Sequence, residues 1–207
     1  KKLGISKGKV ILLKTDVRHL GPYDNKNQGE ALAAHFNVLA DLIDLSEGTI
    51  VVATYSLSLC NTETVFDIDN TPSEVGALTE YIRTRPETVR SFHPFASYTA
   101  IGKHANYICN NTSRHSYGAA TPKERLLELN AKYLFLGLQP PEATAVIHHI
   151  EMLMGVPYRY IKEFIHPVSR EGKVVYEPFY MNVRYYECNT VRKIESKIYP
   201  NFFNFGF

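Results

Sequence analysis

Short apolar, β-branched runs alternate with stretches of helical spacing along the first half of the chain. Residues 9–13 (Lys-Val-Ile-Leu-Leu) follow Gly8 and read as a buried strand. From 28 to 45 the apolar positions Leu32, His35/Phe36, Leu39, Leu42 and Ile43 recur every three or four residues, which predicts a helix ended by Gly48. Residues 49–55 (Thr-Ile-Val-Val-Ala-Thr-Tyr) have strand propensity. Strand, helix and strand in this order form a βαβ unit, whose two strands should be parallel and joined by a right-handed crossover. Residues 56–70 are polar and irregular. Thr71 then offers an N-cap, with Pro72 at the first helical position and Glu74 three residues on, predicting a helix to Arg83.

The second half predicts helices over 103–109, over 122–129 behind a Thr121 cap, and over 142–154, ending at Gly155 before Pro157. A strand is expected over 133–138. Residues 161–186 alternate as strands do (Val174, Tyr176; Tyr180, Asn182, Arg184, Tyr186), with Glu171-Gly172 as a hairpin turn. The expected class is α/β, a mixed sheet with packed helices and an antiparallel portion near the C-terminus.

Composition narrows the class without reaching a function. A chain of 207 residues with 44% hydrophobic and 21% charged residues can build a core without staples. It is read as one domain over 1–207, its ends left open because residue 1 is not Met. Three cysteines (Cys60, Cys109, Cys188), none in a CxxC pair, fit no disulfide framework and suggest a reducing, cytoplasmic compartment. No apolar run is long enough for a membrane span, so no membrane partner is expected. The 23 basic and 21 acidic residues are interspersed, net +2, without the basic stripe a nucleic-acid partner needs.

Two constellations carry candidate chemistry. Arg90-Ser91-Phe92-His93-Pro94-Phe95-Ala96-Ser97-Tyr98-Thr99-Ala100-Ile101-Gly102 has the hydroxyls, backbone N–H groups and fixed charge to grip a polar ligand. It reads equally as a loop entering a helix, with Ser97 or Thr99 as the cap. In His148-His149-Ile150-Glu151 the first and last residues share a helical face, with Ile147, Ile150 and Met154 as the apolar face behind. A carboxylate on one ring nitrogen raises the basicity of the other, which suits His148 to general-base work. An exposed helical pair, or a metal site completed by distant ligands, are the other readings. No phosphate-cradling GxxxxGK[ST] or GxGxxG is present.

Taken in order, 50–56 with Phe66-Asp67, Pro72-Ser73-Glu74-Val75-Gly76-Ala77-Leu78 leading to Arg83, the RSxHPxxSxxAxG segment, Tyr117-Gly118 through Thr121-Pro122 to Leu136-Gly137, and HxxE resemble the aminoglycoside 3-N-acetyltransferase family. The resemblance covers residues 3–187 and implies two intertwined subdomains with a central cleft, in which acetyl-CoA meets an amine. It implies His148 as base and Glu151 as its partner. On the CoA side it implies Lys14, Thr15, Asp16 and Val17, where the family has histidine-serine-serine-leucine, together with Arg90, Ser91, Phe92, Ser97 and Thr121. Backbone amides between Ser91 and Ser97 would meet the thioester oxygen, and Tyr55, Asp67 and His93 would face the acceptor. No metal is required. Before the histidine the family's Asn-Thr pair is replaced by Glu142-Ala143-Thr144. The implied reaction is direct acetyl transfer to an amino sugar. With only Glu63, Asp67 and Asp69 in the 56–70 loop to meet a polycation, and a chain of net +2 with many tyrosines, a nucleotide-linked amino sugar of polysaccharide synthesis is favoured; the alternatives are an aminoglycoside antibiotic acceptor or a non-catalytic CoA-binding homologue. A homo-oligomer is left open.

Overall fold

The computed structural model describes residues 4–21, 27–139 and 145–185. Strand β1 (Val10–Thr15) is buried along its whole length. Helix α1 (Gln28–Ile43) starts at Asn27, whose side chain accepts from the Glu30 amide at 3.0 Å while the Glu30 carboxylate accepts from the Asn27 amide at 3.1 Å. It returns the chain to β2 (Thr49–Ala53), which runs parallel to β1 from Val10 opposite Thr49 to Leu13 opposite Val52. β3 (Val89–Arg90), β4 (Tyr98–Gly102) and β5 (Lys132–Leu136) complete a mixed sheet of order β3-β4-β2-β1-β5, with β5 parallel to β1 and β4 antiparallel to β2 and β3.

The period-2 alternation of these strands builds a core on each face. Ile11, Leu13, Ile50, Val52 and Ile101 pack under Phe36, Leu39 and Ile43 of α1 and Leu78 and Ile82 of α2 (Ala77–Arg83). Val10, Leu12, Val51, Ala53, Tyr98 and Ala100 point the other way, against α3 (Ala105–Cys109) and Leu126 of α4 (Pro122–Glu128). Helix α5 (Val146–Leu153) leads to a long hairpin, β6 (Arg159–Arg170) and β7 (Lys173–Arg184). Its turn is Glu171-Gly172, both at positive φ (51° and 75°), the type I′ geometry for which that glycine is suited. The hairpin docks Val168 and Phe179 into a third core with Leu59, Phe66 and Phe95.

The expected α/β class, the parallel βαβ unit, the Thr121-capped helix and the hairpin all stand in the structure. Three expectations do not. The helix expected from Thr71 begins at Ala77, because Thr71 and Pro72 are drawn into other bonds: Thr71 Oγ1 accepts from the Asp67 amide at 2.8 Å, and the Pro72 carbonyl accepts from Ser56 Oγ at 2.7 Å. Glu74 bonds Ser58 instead of a helix amide. The segment after Arg90 is not a capped loop entering a helix: residues 98–102 form a strand inside the sheet, and the hydroxyls of Thr99 and of Ser97 just before it meet that of Thr54. The helix expected from 103 starts at Ala105, with the Lys103 amide donating to the Leu45 and Gly48 carbonyls. The expected helix start at Glu142-Ala143-Thr144, together with Tyr186 and Cys188, lies outside the described residues.

Candidate active site

Helical spacing on α5 brings His148 Nδ1 to 2.8 Å from Glu151 Oε2. The hairpin completes the pair: Tyr158 donates to Glu151 Oε1 at 3.2 Å, and Arg159 Nε lies 2.6 Å from Oε2. Asn182 of β7 donates to the His148 carbonyl at 3.3 Å, and the Tyr117 ring lies 5.8 Å away, edge to face with the imidazole. Burial alone would raise the Glu151 carboxyl; the hydrogen bond from His148 and the charge of Arg159 outweigh it and hold the group below the usual carboxylate range. With Nδ1–H donating to this carboxylate, Nε2 is the basic nitrogen of the ring.

His149 points elsewhere. Its Nδ1 accepts from the Gly118 amide at 3.2 Å, it is buried, and that burial depresses its pKa, so it anchors the Tyr117-Gly118 turn as a neutral ring. The face expected to be apolar and packed is reversed: Ile150 and Met154 are 50% and 73% exposed, while His149 and Glu151 are buried. His149 Nδ1 and both Glu151 carboxylate oxygens have built partners on the inner face, which draws these residues inward.

At the carboxyl ends of β1 and β2 lies a compartment of amines and phenols. Lys14, 7% exposed, stands 5.8 Å from the centre of the Tyr55 ring, and the Tyr55 hydroxyl meets that of Tyr98 at 2.5 Å. Lys123 of α4 is wholly buried, donates to the Tyr133 hydroxyl at 3.1 Å and lies over the Tyr98 ring. Desolvation lowers Lys14 to about 8 and takes Lys123 well below its ordinary value, the neighbouring Lys14 charge adding to the effect on Lys123. The Tyr117 phenol acts on that of Tyr55, and the Tyr117 ring meets His148, so this compartment adjoins the dyad. Thr15 is buried beside Lys14. Asp16 turns away to cap the short turn containing Val17 and to bind Arg18 at 2.8 and 2.6 Å, so its charge is compensated locally. Arg18 holds the Asp16 carboxyl down at about 2. The turn lies against Gly137, at φ 69°, where a Cβ would strike the Asp16 carbonyl.

The other expected site residues form a separate assembly. Arg90, expected at a CoA phosphate, has its guanidinium used up inside the protein: Nε donates to Ser97 Oγ at 3.1 Å, Nη1 to the Ile68 and Thr71 carbonyls at 3.1 and 2.6 Å, and Nη2 to the Thr54 carbonyl at 3.0 Å. Ser97 Oγ donates to the Thr54 carbonyl at 2.7 Å, and Ser91 Oγ accepts from the Tyr98 amide at 2.9 Å. Phe92 packs edge-on to Phe66 under the Arg170 guanidinium. Four of the amides expected to meet the thioester oxygen are also engaged: Ser91 N donates to Tyr98 O, His93 N to Ser91 O, and Phe95 N and Ala96 N to His93 Nδ1. His93, expected at the acceptor, is 3% exposed between Phe95 and Phe179, and burial pushes it down to about 3. Asp67 Oδ1 accepts from the Asp69 and Asn70 amides, each at 2.9 Å, in a turn. Thr121 caps α4 and donates to the Gly118 carbonyl at 2.6 Å.

Of the expected residues, then, the structure joins Lys14, Tyr55, His148 and Glu151, and it adds Tyr98, Tyr117, Lys123, Tyr133, Tyr158 and Arg159, which sequence reasoning had not singled out. Tyr158 and Arg159, just after the Gly155-Val156-Pro157 break, and Lys123, in the first turn of a predicted helix, gave no sequence cue. Among the described residues no three His, Cys, Asp or Glu side chains are grouped to hold a metal ion, and no helix is long and apolar enough to cross a membrane. Cys109 is buried with its thiol pushed up to about 12, and burial also raises the Cys60 thiol, so neither is a poised nucleophile.

The structure is thus of the mixed α/β class, with a histidine–carboxylate pair beside a compartment of buried amines. The chain belongs to the aminoglycoside 3-N-acetyltransferase family, whose sequence model matches residues 12–201. It is 34% identical over 109 residues to aminoglycoside N(3)-acetyltransferase VII of Streptomyces paromomycinus, an alignment covering 51% of this chain and 36% of that protein. It is 28% identical over 203 residues to the SPbeta prophage-derived aminoglycoside N(3')-acetyltransferase-like protein YokD of Bacillus subtilis, covering 86% of this chain and 71% of that one. The crystal structure of YokD superposes with a TM-score of 0.75, covering 90% of this chain and 79% of YokD at 26% identity. An AAC-IIIb binary complex with CoASH shares the fold at a TM-score of 0.81 and 22% identity, covering 99% of this chain and 81% of that one. The chain thus spans about a third of the first of these curated relatives.

Proposed function

We propose that this chain carries out direct N-acetyl transfer from acetyl-CoA to a primary amine of an aminoglycoside, with His148 as general base and Glu151 as the residue that orients it. The observation that carries the reading is the 2.8 Å contact between His148 Nδ1 and Glu151 Oε2 in a member of this family. The amine nitrogen attacks the thioester carbonyl, Nε2 of His148 takes the amine proton, and the C–S bond breaks to release CoA as a thiolate, which is then protonated. Base assistance of this kind supplies about 10² to 10⁴ in rate. Lys14 and Thr15, at the end of β1 and adjoining the dyad by way of Tyr55 and Tyr117, are the residues assigned to acetyl-CoA. Arg90, Ser91 and Ser97 drop out of that assignment because their polar atoms are bonded within the protein.

For the acceptor, the names of the relatives favour an aminoglycoside, and the nucleotide-linked amino sugar expected from overall charge finds no support. The test mixes the protein with acetyl-CoA and a panel of aminoglycosides and nucleotide-linked amino sugars, following free CoA thiol and product mass. Thiol release with a mass gain on aminoglycosides is expected. Release with nucleotide-linked sugars alone would overturn the acceptor, and no release with any amine would overturn the activity.

A further inference from the structure

The imidazole of His148 faces a carboxylate and a guanidinium together. Its Nδ1 lies 2.8 Å from Glu151 Oε2 and 2.9 Å from Arg159 Nη2, while Arg159 Nε lies 2.6 Å from the same Oε2. The Arg159 and Glu151 side chains are 8% and 11% exposed, so solvent screens this triangle weakly. Nδ1 cannot donate to the carboxylate and accept from the guanidinium at once. With the proton on Nδ1 the bond runs to Glu151 and Nε2 is basic; with the proton on Nε2 the ring accepts from Arg159 and its outer nitrogen is no longer a base. A carboxylate unopposed at this distance would also hold the imidazolium, which is useless for taking a proton.

We propose that Arg159 is a positioning residue that sets the pH range over which His148 works as a base, by offsetting the Glu151 carboxylate so that the ring stays unprotonated at neutral pH. This rests on the dyad reading above. Groups near the ring among the described residues include the Tyr117 phenol from the loop before α4, Tyr158 bound to Glu151, and the Asn182 amide of β7 on the His148 carbonyl. Arg184 of β7 stacks on Tyr158 at 5.9 Å, and from α4 Lys123 and Glu124 act on His149.

The test is the pH dependence of kcat/KM in Arg159→Met, with Arg159→Gln as the polar replacement should the first not fold, alongside an NMR titration of the His148 imidazole identified by its loss in His148→Gln. Removing the guanidinium is expected to move the acid limb and the titration upward together by about one pH unit, a tenfold loss at the acid end that recovers at high pH. Arg159→Lys, which keeps the charge, should stay near the parent profile. A loss equal at every pH, or an unmoved titration, would overturn the proposal. The titration needs no turnover, so an active His148→Ala enzyme would remove the base while leaving the Arg159 coupling to be judged by itself.

Discussion

Two polar clusters, one at the five-stranded sheet and one where α5 meets the hairpin, differ in how their polar groups are matched. Around Arg90, guanidinium, hydroxyls and main-chain groups close on one another: Ser97, Thr54, Ile68 and Thr71 take the guanidinium N–H groups. Around His148, charges of both signs are gathered on a ring whose side chain is still 29% exposed. The first arrangement locks a loop against a strand. The second sets opposite charges against an imidazole that is only partly buried. A dense polar motif in a sequence is therefore no guide to chemistry until one knows whether its donors and acceptors are already matched.

Variants at the two clusters should fail in opposite ways. His148→Ala should lower kcat by about 10² to 10⁴ with little change in melting temperature, checked by steady-state kinetics beside calorimetry. Arg90→Met should do the reverse, losing on the order of 3 kcal/mol of stability because several buried carbonyls lose their donor, while turnover well below the melting point persists. An Arg90→Met protein that is stable but has lost its acetyl-CoA affinity would dissolve the contrast and return Arg90 to the substrate.

Lys14 sharpens the contrast through pH. Its folded-state pKa of about 8 lies below the ordinary value of 10.5, so between those values the unfolded chain holds more protons and stability rises with pH. The buried charge costs up to about 3 kcal/mol below pH 8 and nothing above 10.5. Lys14→Met should thus stabilise the fold at pH 7 by up to that amount, with the gain fading toward pH 10.5 in chemical denaturation, and should raise the KM for acetyl-CoA. The smallest effect expected is none: dialysis against a chelator should leave turnover unchanged, because the dyad needs no ion, and activity restored only by zinc would break that reading.

Much of this was written in local pattern. The β-branched runs of β1 and β2, the apolar spacing of α1, the Thr121-Pro122 start of α4 and the Glu171-Gly172 turn follow from short-range rules, and the HxxE spacing put Glu151 on the side of His148. What eluded the sequence depends on pairing at long range. Strand β4 did not read as a strand because Thr99, and Ser97 just before it, are polar until Thr54, over forty residues earlier, supplies their partner. Arg159 and Tyr158 carried no signal as site residues, since only the register and docking of the hairpin bring them to Glu151. The exposed Ile150 and Met154 reversed the expected phase of α5 because three partners on other elements hold Glu151 and His149 inward.

The hairpin has a consequence for how the molecule is made. Val168 pairs with Phe66 and Tyr180 with His115, contacts that close very long chain segments and so cannot be among the cheap early events of folding. The same ribbon carries Arg159 and Asn182, with Tyr158 at its foot. Until that ribbon docks, Glu151 lacks the guanidinium and the phenol that hold it, so the local order around α5 is tied to the slowest, longest-range closure of the fold.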